Sequence, residues 1–216
     1  MTSTVRFTEE MLGHVTFGET DFTRGARSAG EGAAAFMFHL TIEVQDMDRF
    51  AHDPLRPANA TGYVHCDALG GRLPVEQGWF NLFVDVAPGV KHMLYRLWLR
   101  DGVGHPLTMT GFKLVQDDAG FDVWKDTTTL FTRVYQAHLP PPTDHVSEGE
   151  DDTAVELAAG VLRIRMRDFA KQLTTFRSNG TGIAAKLGAL AKFGVIFVQQ
   201  LAEAYLRKGP RARAVA

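Results

Sequence analysis

The side chains able to do chemistry in this 216-residue chain are scattered, not gathered into motifs. Its single cysteine, Cys66, stands between His65 and Asp67, the composition of a nucleophile with a base and an orienting acid. Spacing argues against that use. On an extended strand neighbours point to opposite faces, so His65 and Asp67 share a side and Cys66 faces away. Cys66 then reads as a small buried apolar residue. The eight histidines show no HxH, no HExxH and no pairing with cysteine, so no structural zinc is expected, and only a site assembled from distant strands would hold a metal. The paired carboxylates Glu9-Glu10, Asp117-Asp118 and Asp151-Asp152 fall at or near expected turns and strand ends, where solvated caps use them. Arg163, Arg165 and Arg167 form a basic ladder, either a solvated strand face or an anion contact. No GxGxxG opens a helix, and neither a GxxxxGK[ST] loop nor a GxSxG elbow is present. Dinucleotide, nucleotide and hydrolase readings therefore lack their motifs. No residue is put forward as catalytic, and no cofactor or metal is expected.

The elements that must position these residues follow from composition and pattern. Apolar residues make up 45% and charged residues 22%, an ordinary globular balance, and a formal charge of −2 argues against a nucleic-acid partner. Fifteen phenylalanines imply a large core or a ring-lined pocket. One cysteine allows no intramolecular disulfide, and the N-terminal residues lack a basic region followed by an apolar core, so the cytoplasm is the expected compartment.

The chain is organised around 61–137, where runs of β-branched and aromatic residues alternate with turn pairs at Gly70-Gly71, Pro88-Gly89, Asp101-Gly102 and Asp118-Ala119-Gly120. These cut it into strands near 61–68, 73–86, 91–100, 105–116 and 122–137. Upstream, 5–17 predicts a first strand, 18–32 a Gly-rich loop, 33–46 a strand and 46–54 a short helical turn stopped by Pro54 and Pro57. In 33–46, Phe36, Phe38, Leu40, Ile42 and Val44 share one face at period two. Residues 70–85 echo 102–117, which suggests two hairpins of similar shape or merely convergent hairpin composition.

An antiparallel meander of long strands removes its edges by closing on itself. The expected fold is mainly β: a lipocalin-like barrel over 1–138, an acidic Pro-rich loop over 139–153, a last strand and helix over 154–180 packing on the barrel, and a C-terminal helix with a basic tail over 181–216. Residues 154–177 read as a short helix, a strand at 161–165 and a helix at 167–176, or as one continuous helix. The helix at 183–208 is apolar with flanking lysines, and 181–216 carries about +5 while the remainder of the chain sums to about −7. That asymmetry makes the tail a candidate for peripheral membrane contact or an acidic partner.

In the strand at 91–100, Met93, Tyr95, Leu97 and Leu99 share one face, while Leu94, Arg96, Trp98 and Arg100 share the other. That second face, continued by His39, Thr41, Asn81, Phe83, Lys113, Phe131 and Tyr135, mixes rings with a few polar groups, as small-molecule pockets do. It is either a pocket wall or the outer surface. As a pocket wall it nominates Phe83, Trp98, Phe131 and Tyr135 to pack a hydrophobic small molecule and Arg96 or His39 to orient it. An isomerase or hydratase using His39, His65 or Asp126 is the enzymatic alternative. Docking of the C-terminal helix on a membrane or partner is the third.

The phrases FMFHLTIEV (36–44), DALGGRLPVEQGWFNLFVD (67–85), MLYRLWLRDGVGHPLTMTGFKLV (93–115), GFDVWKDTTTLFTRVY (120–135) and GVLRIRMRDFAKQLTTF (160–176) resemble an actinobacterial accessory domain. That domain is found beside glucose–methanol–choline type (cholesterol oxidase-like) FAD oxidoreductases and α/β hydrolases. The resemblance implies a module accessory to sterol or lipid oxidation, with an FAD-dependent oxidoreductase as partner. It carries over no catalytic residue, and the chain lacks the FAD-binding fingerprint.

Overall fold

The computed structural model describes residues 4–116, 128–141, 154–164, 177–179 and 183–206, with 177–179, 183–186 and 201–206 described by backbone alone. The strands are β1 (Thr4–Phe17), β2 (Ala33–Val44), β3 (Pro57–Cys66), β4 (Gly71–Pro74), β5 (Gln77–Ala87), β6 (Val90–Arg100), β7 (Pro106–Gln116), β8 (Thr129–Tyr135), β9 (Glu156–Arg163) and β10 (Arg177–Asn179). The helices are α1 (Phe22–Gly25), α2 (Met47–His52) and α3 (Ile183–Leu206).

Strand order runs β1-β2-β3-β5-β6-β7-β8-β9, and β9 pairs back on β1 to close an antiparallel barrel of eight staves. Each stave neighbours the next in sequence, the up-and-down arrangement of lipocalin-like barrels. The short β4 pairs only with β3, and β10 pairs with the first residues of β1 below the point where β9 leaves it.

Alternation decides which face is inside. Phe36, Phe38, Leu40, Ile42 and Val44 of β2 are all buried, while the residues between them are not. Burying such side chains contributes about 1.5–3 kcal/mol each. At the closing seam Gly13 opposes Leu162 and Val15 opposes Gly160. A Cβ on Gly13 would lie 2.0 Å from the Val161 carbonyl oxygen, and one on Gly160 would lie 2.0 Å from that of His14. Bare backbone on both sides is what lets the two edges meet.

Several expectations are corrected. The barrel does not end at 138, because β9, beyond the acidic loop, is one of its staves. Residues 156–160 are strand and not a short helix, since Gly160 and its small neighbours Ala158 and Ala159 suit the crowded seam. The run at 73–86 breaks into β4 and β5, so the two echoing stretches do not fold alike. Residues 117–127, 142–153 and 165–176, with the Asp117-Asp118 and Asp151-Asp152 pairs and the helix expected at 167–176, lie outside the described residues.

One end of the barrel is covered. Asp46 caps α2 by accepting from the Asp48 and Arg49 amides at 2.9 and 3.1 Å. α3 lies over the same end: Phe193 sits 6.0 Å (ring centroids) from both Phe7 and Phe50, and Phe197 sits 5.1 Å from Phe83. Phe83 reaches it from a bulge in β5, where φ is 52° and the register slips between Asn81 and Val84.

Candidate functional site

Period two places several polar side chains at inward positions, and three of them, Glu9, Tyr95 and Lys113, meet. β1 sends Val5, Phe7, Glu9 and Met11 inward; β7 sends Leu107, Met109, Lys113 and Val115; β6 sends Met93, Tyr95, Leu97 and Leu99. Glu9, Lys113 and Tyr95 are only 1%, 3% and 3% exposed. Three staves separate β1 from β6 in either direction, so Glu9 and Tyr95 stand on opposite walls. They meet across the interior: the Tyr95 hydroxyl donates to Glu9 Oε2 at 2.6 Å, and the Lys113 ammonium donates to Glu9 Oε1. The same ammonium lies 5.3 Å from the centroid of the Tyr95 ring.

Burial first, then the Glu9 charge, holds the Tyr95 hydroxyl well above the usual phenol range, so it remains a neutral donor. Rings complete this level of the barrel. Phe80 lies 4.9 Å from Tyr95, Phe38 lies 5.8 Å from it, and Phe7 lies 6.3 Å from Phe80. Methionines adjoin the cluster: Met93 is the cross-strand partner of Lys113, and Met11 is two residues beyond Glu9.

The cluster is an ion pair with a phenol bridging one carboxylate oxygen. Removing two charges from water costs several kcal/mol per ion, recovered only through close pairing and further hydrogen bonds. Lys113 has three N–H donors, and among the described residues Glu9 is its one hydrogen-bond partner. Two donors therefore stand inside the barrel with no acceptor among the described residues.

The six nominated ligand residues do not share an interior. His39, Arg96, Trp98, Phe131 and Tyr135 alternate with inward residues and lie on the outer face, and Phe83 is buried at the helix-covered end. Lys113, grouped with them by composition, is the member that points inward. The outer residues hold the chain's own excursions. Residues 137–140 cross outside β6 and β7: Trp98 Nε1 donates to Leu139 O at 2.6 Å, Arg96 donates to Pro140 O, and Thr108 Oγ1 donates to Ala137 O at 2.6 Å. His138 stacks flat on Trp98 at 4.8 Å. Phe131 packs 5.2 Å from Phe112 and 5.4 Å from Phe22 of α1. His92 stacks on Phe112 at 4.9 Å, and burial pushes its imidazole down to about 4. Tyr135, cross-strand from Glu156, has its hydroxyl raised by burial. His39 stacks on Tyr63 at 5.6 Å, with the Arg72 guanidinium 3.9 Å over the same ring.

The residues considered for catalysis are dispersed as well. His65 faces outward and contacts Asp67 at 3.2 Å, while Cys66 points into the core, as strand geometry requires. Asp126 lies outside the described residues. Among the described residues, no three His, Cys, Asp or Glu side chains gather as metal ligands. Glu9, expected in a solvated carboxylate pair, is the inward carboxylate. The signal that finds it was present: a charge at a position where the β1 alternation calls for an apolar side chain, repeated at Lys113 in β7. No protein-family model matches this chain, and no curated protein and no solved structure matches it either.

Proposed function

We propose that the barrel binds an apolar small molecule with a neutral polar head, of the sterol or long-chain alcohol or ketone kind, and that the head is read by Lys113, Tyr95 and Glu9. The observation that carries this reading is the Lys113 ammonium, nearly fully buried with two donors unmatched by acceptors among the described residues. A hydroxyl or carbonyl oxygen supplies the acceptor, and a hydroxyl also donates to Glu9. A carboxylate head is disfavoured by the Glu9 charge beside it. Met11 and Met93, unbranched and easily repacked, let the interior adapt around an entering chain or ring. An acid–base use of Glu9 is the weaker alternative, because Lys113 and Tyr95 already hold both of its oxygens. Service to an FAD-dependent oxidoreductase acting on such lipids rests on the sequence resemblance alone.

The test is titration of the full chain with dehydroergosterol and with cis-parinaric acid, each followed by its own fluorescence. Saturable uptake of dehydroergosterol, displaced by cholesterol and stronger than uptake of the carboxylate probe, is expected. Tyr95→Phe weakens it roughly 10- to 150-fold, in line with the ~1.5–3 kcal/mol of a hydrogen bond to a charged group. Glu9→Gln/Lys113→Met abolishes it with the fold intact. No saturable signal from either probe on natively folded protein removes the reading.

A further inference from the structure

We propose that the outer face of α3 docks the protein on an anionic lipid surface, with the covered end of the barrel turned toward the bilayer. The inner face of the helix is already occupied. Ala189 and Phe193 are buried, Phe197 meets Phe83, and Gln200 Oε1 accepts from Lys91 Nζ at 3.0 Å. The Lys192–Asp48 ion pair ties the helix to α2. These contacts fix which side faces away from the barrel. On that side Leu187, Val195 and Val198 are 61%, 53% and 64% exposed, and Gly188, Ala191 and Gly194 lie between them. Over 187–200 the polar side chains are Lys192, 39% exposed and paired with Asp48, Gln199, exposed, and Gln200, buried.

A surface helix whose inner face meets the core normally turns charge to the solvent. Here both faces are apolar. Single exposed apolar side chains elsewhere on the barrel are unremarkable. Three on one helix face make a surface that some other body covers.

Charge identifies that body. Residues 181–216 carry Lys186, Lys192, Arg207, Lys208, Arg211 and Arg213 against Glu203, about +5, and the remainder of the chain carries about −7. A second copy seated helix to helix would bring two such basic segments together. An anionic bilayer attracts the stretch of sequence that contains α3 and repels the rest of the chain, so it favours α3 toward the surface. No described helix is long and apolar enough to cross a membrane, so the helix lies in the interface plane. The docking is independent of whether the barrel holds a ligand.

The test is flotation of the full chain with phosphatidylcholine vesicles and with vesicles containing about one-third phosphatidylglycerol, beside light scattering of the free protein. Binding to the anionic vesicles, little binding to the zwitterionic ones and release at high salt are expected. Val195→Glu/Val198→Glu, at exposed positions that leave the inner face untouched, lowers partitioning at least roughly tenfold. Val195→Ser/Val198→Ser lowers it less, at an unchanged Tm. Three results would overturn the proposal: no flotation with either vesicle, equal flotation of the glutamate variant, or a dimer in solution that the glutamate variant breaks while neither form floats.

Discussion

Replacing Lys113 by methionine isolates what the buried cluster contributes. Methionine keeps the length of the lysine stem and removes the charge. The Glu9 carboxylate, 1% exposed, is then left with the Tyr95 hydroxyl alone inside the barrel. Orphaning one member of a buried ion pair costs about 3–5 kcal/mol, a large share of the roughly 5–15 kcal/mol by which a domain is stable. The Arg100–Glu76 pair is the control. It spans 2.9 Å with both side chains more than 40% exposed, so Arg100→Ala costs about 0–1 kcal/mol. Urea unfolding followed by tryptophan fluorescence measures both. The cycle is closed with Glu9→Gln and with Glu9→Gln/Lys113→Met. The double variant buries no ion and keeps an oxygen for Tyr95, so it unfolds nearer the parent than Lys113→Met does. A cost below about 1 kcal/mol for Lys113→Met, or a double variant as unstable as the sum of the singles, refutes the reasoning.

Two further outcomes follow from the titrating groups. Burial depresses the His92 imidazole from its ordinary value near 6.5 to about 4, so the fold favours the neutral ring. The stability this represents is complete above pH 6.5 and is lost as pH falls through the folded value. By linkage the parent loses about 2 kcal/mol between pH 7.5 and pH 5, and His92→Phe, which keeps a ring on Phe112, removes most of that slope in urea titrations at the two pH values. An unchanged slope contradicts the assignment. Cys66 is buried, and burial raises its thiol above the ordinary range. Native protein at pH 8 should therefore react with a thiol-exchange reagent far more slowly than protein in denaturant, and equal rates would show that the β3 end is open.

Local alternation made much of the barrel legible. Period two in 36–44 and 91–100 is a property of neighbouring residues, and it predicted β2 and β6 together with the two faces of each. The turn pairs at Gly70-Gly71 and Pro88-Gly89 fall where φ is positive, at 106°, 90° and 76° for the three glycines, so they ended strands as expected. The helix at 183–206 was legible from its apolar run. Assignment failed where burial overrode local preference. Residues 156–160 look helical in isolation, yet their small side chains suit a strand at a crowded seam.

Closure into a barrel was expected from the meander and is present, but the direction of curl was beyond the reach of the sequence, and the site depends on it. A mixed face such as that of Arg96 and Trp98 reads as a pocket wall or an outer surface until the direction of curl is known. Here it faces out and is covered by residues 137–140. Tyr95 and Lys113 lie 86 and 104 residues from Glu9, and no local spacing joins them. By itself the sequence determined most of the strands and the alternation of their faces, but it left Glu9 in a solvated pair and Lys113 on the mixed face. Only the tertiary structure decided which face became the interior, because closing β9 on β1 brings opposite walls within hydrogen-bonding reach and turns three separate exceptions to an apolar pattern into one site.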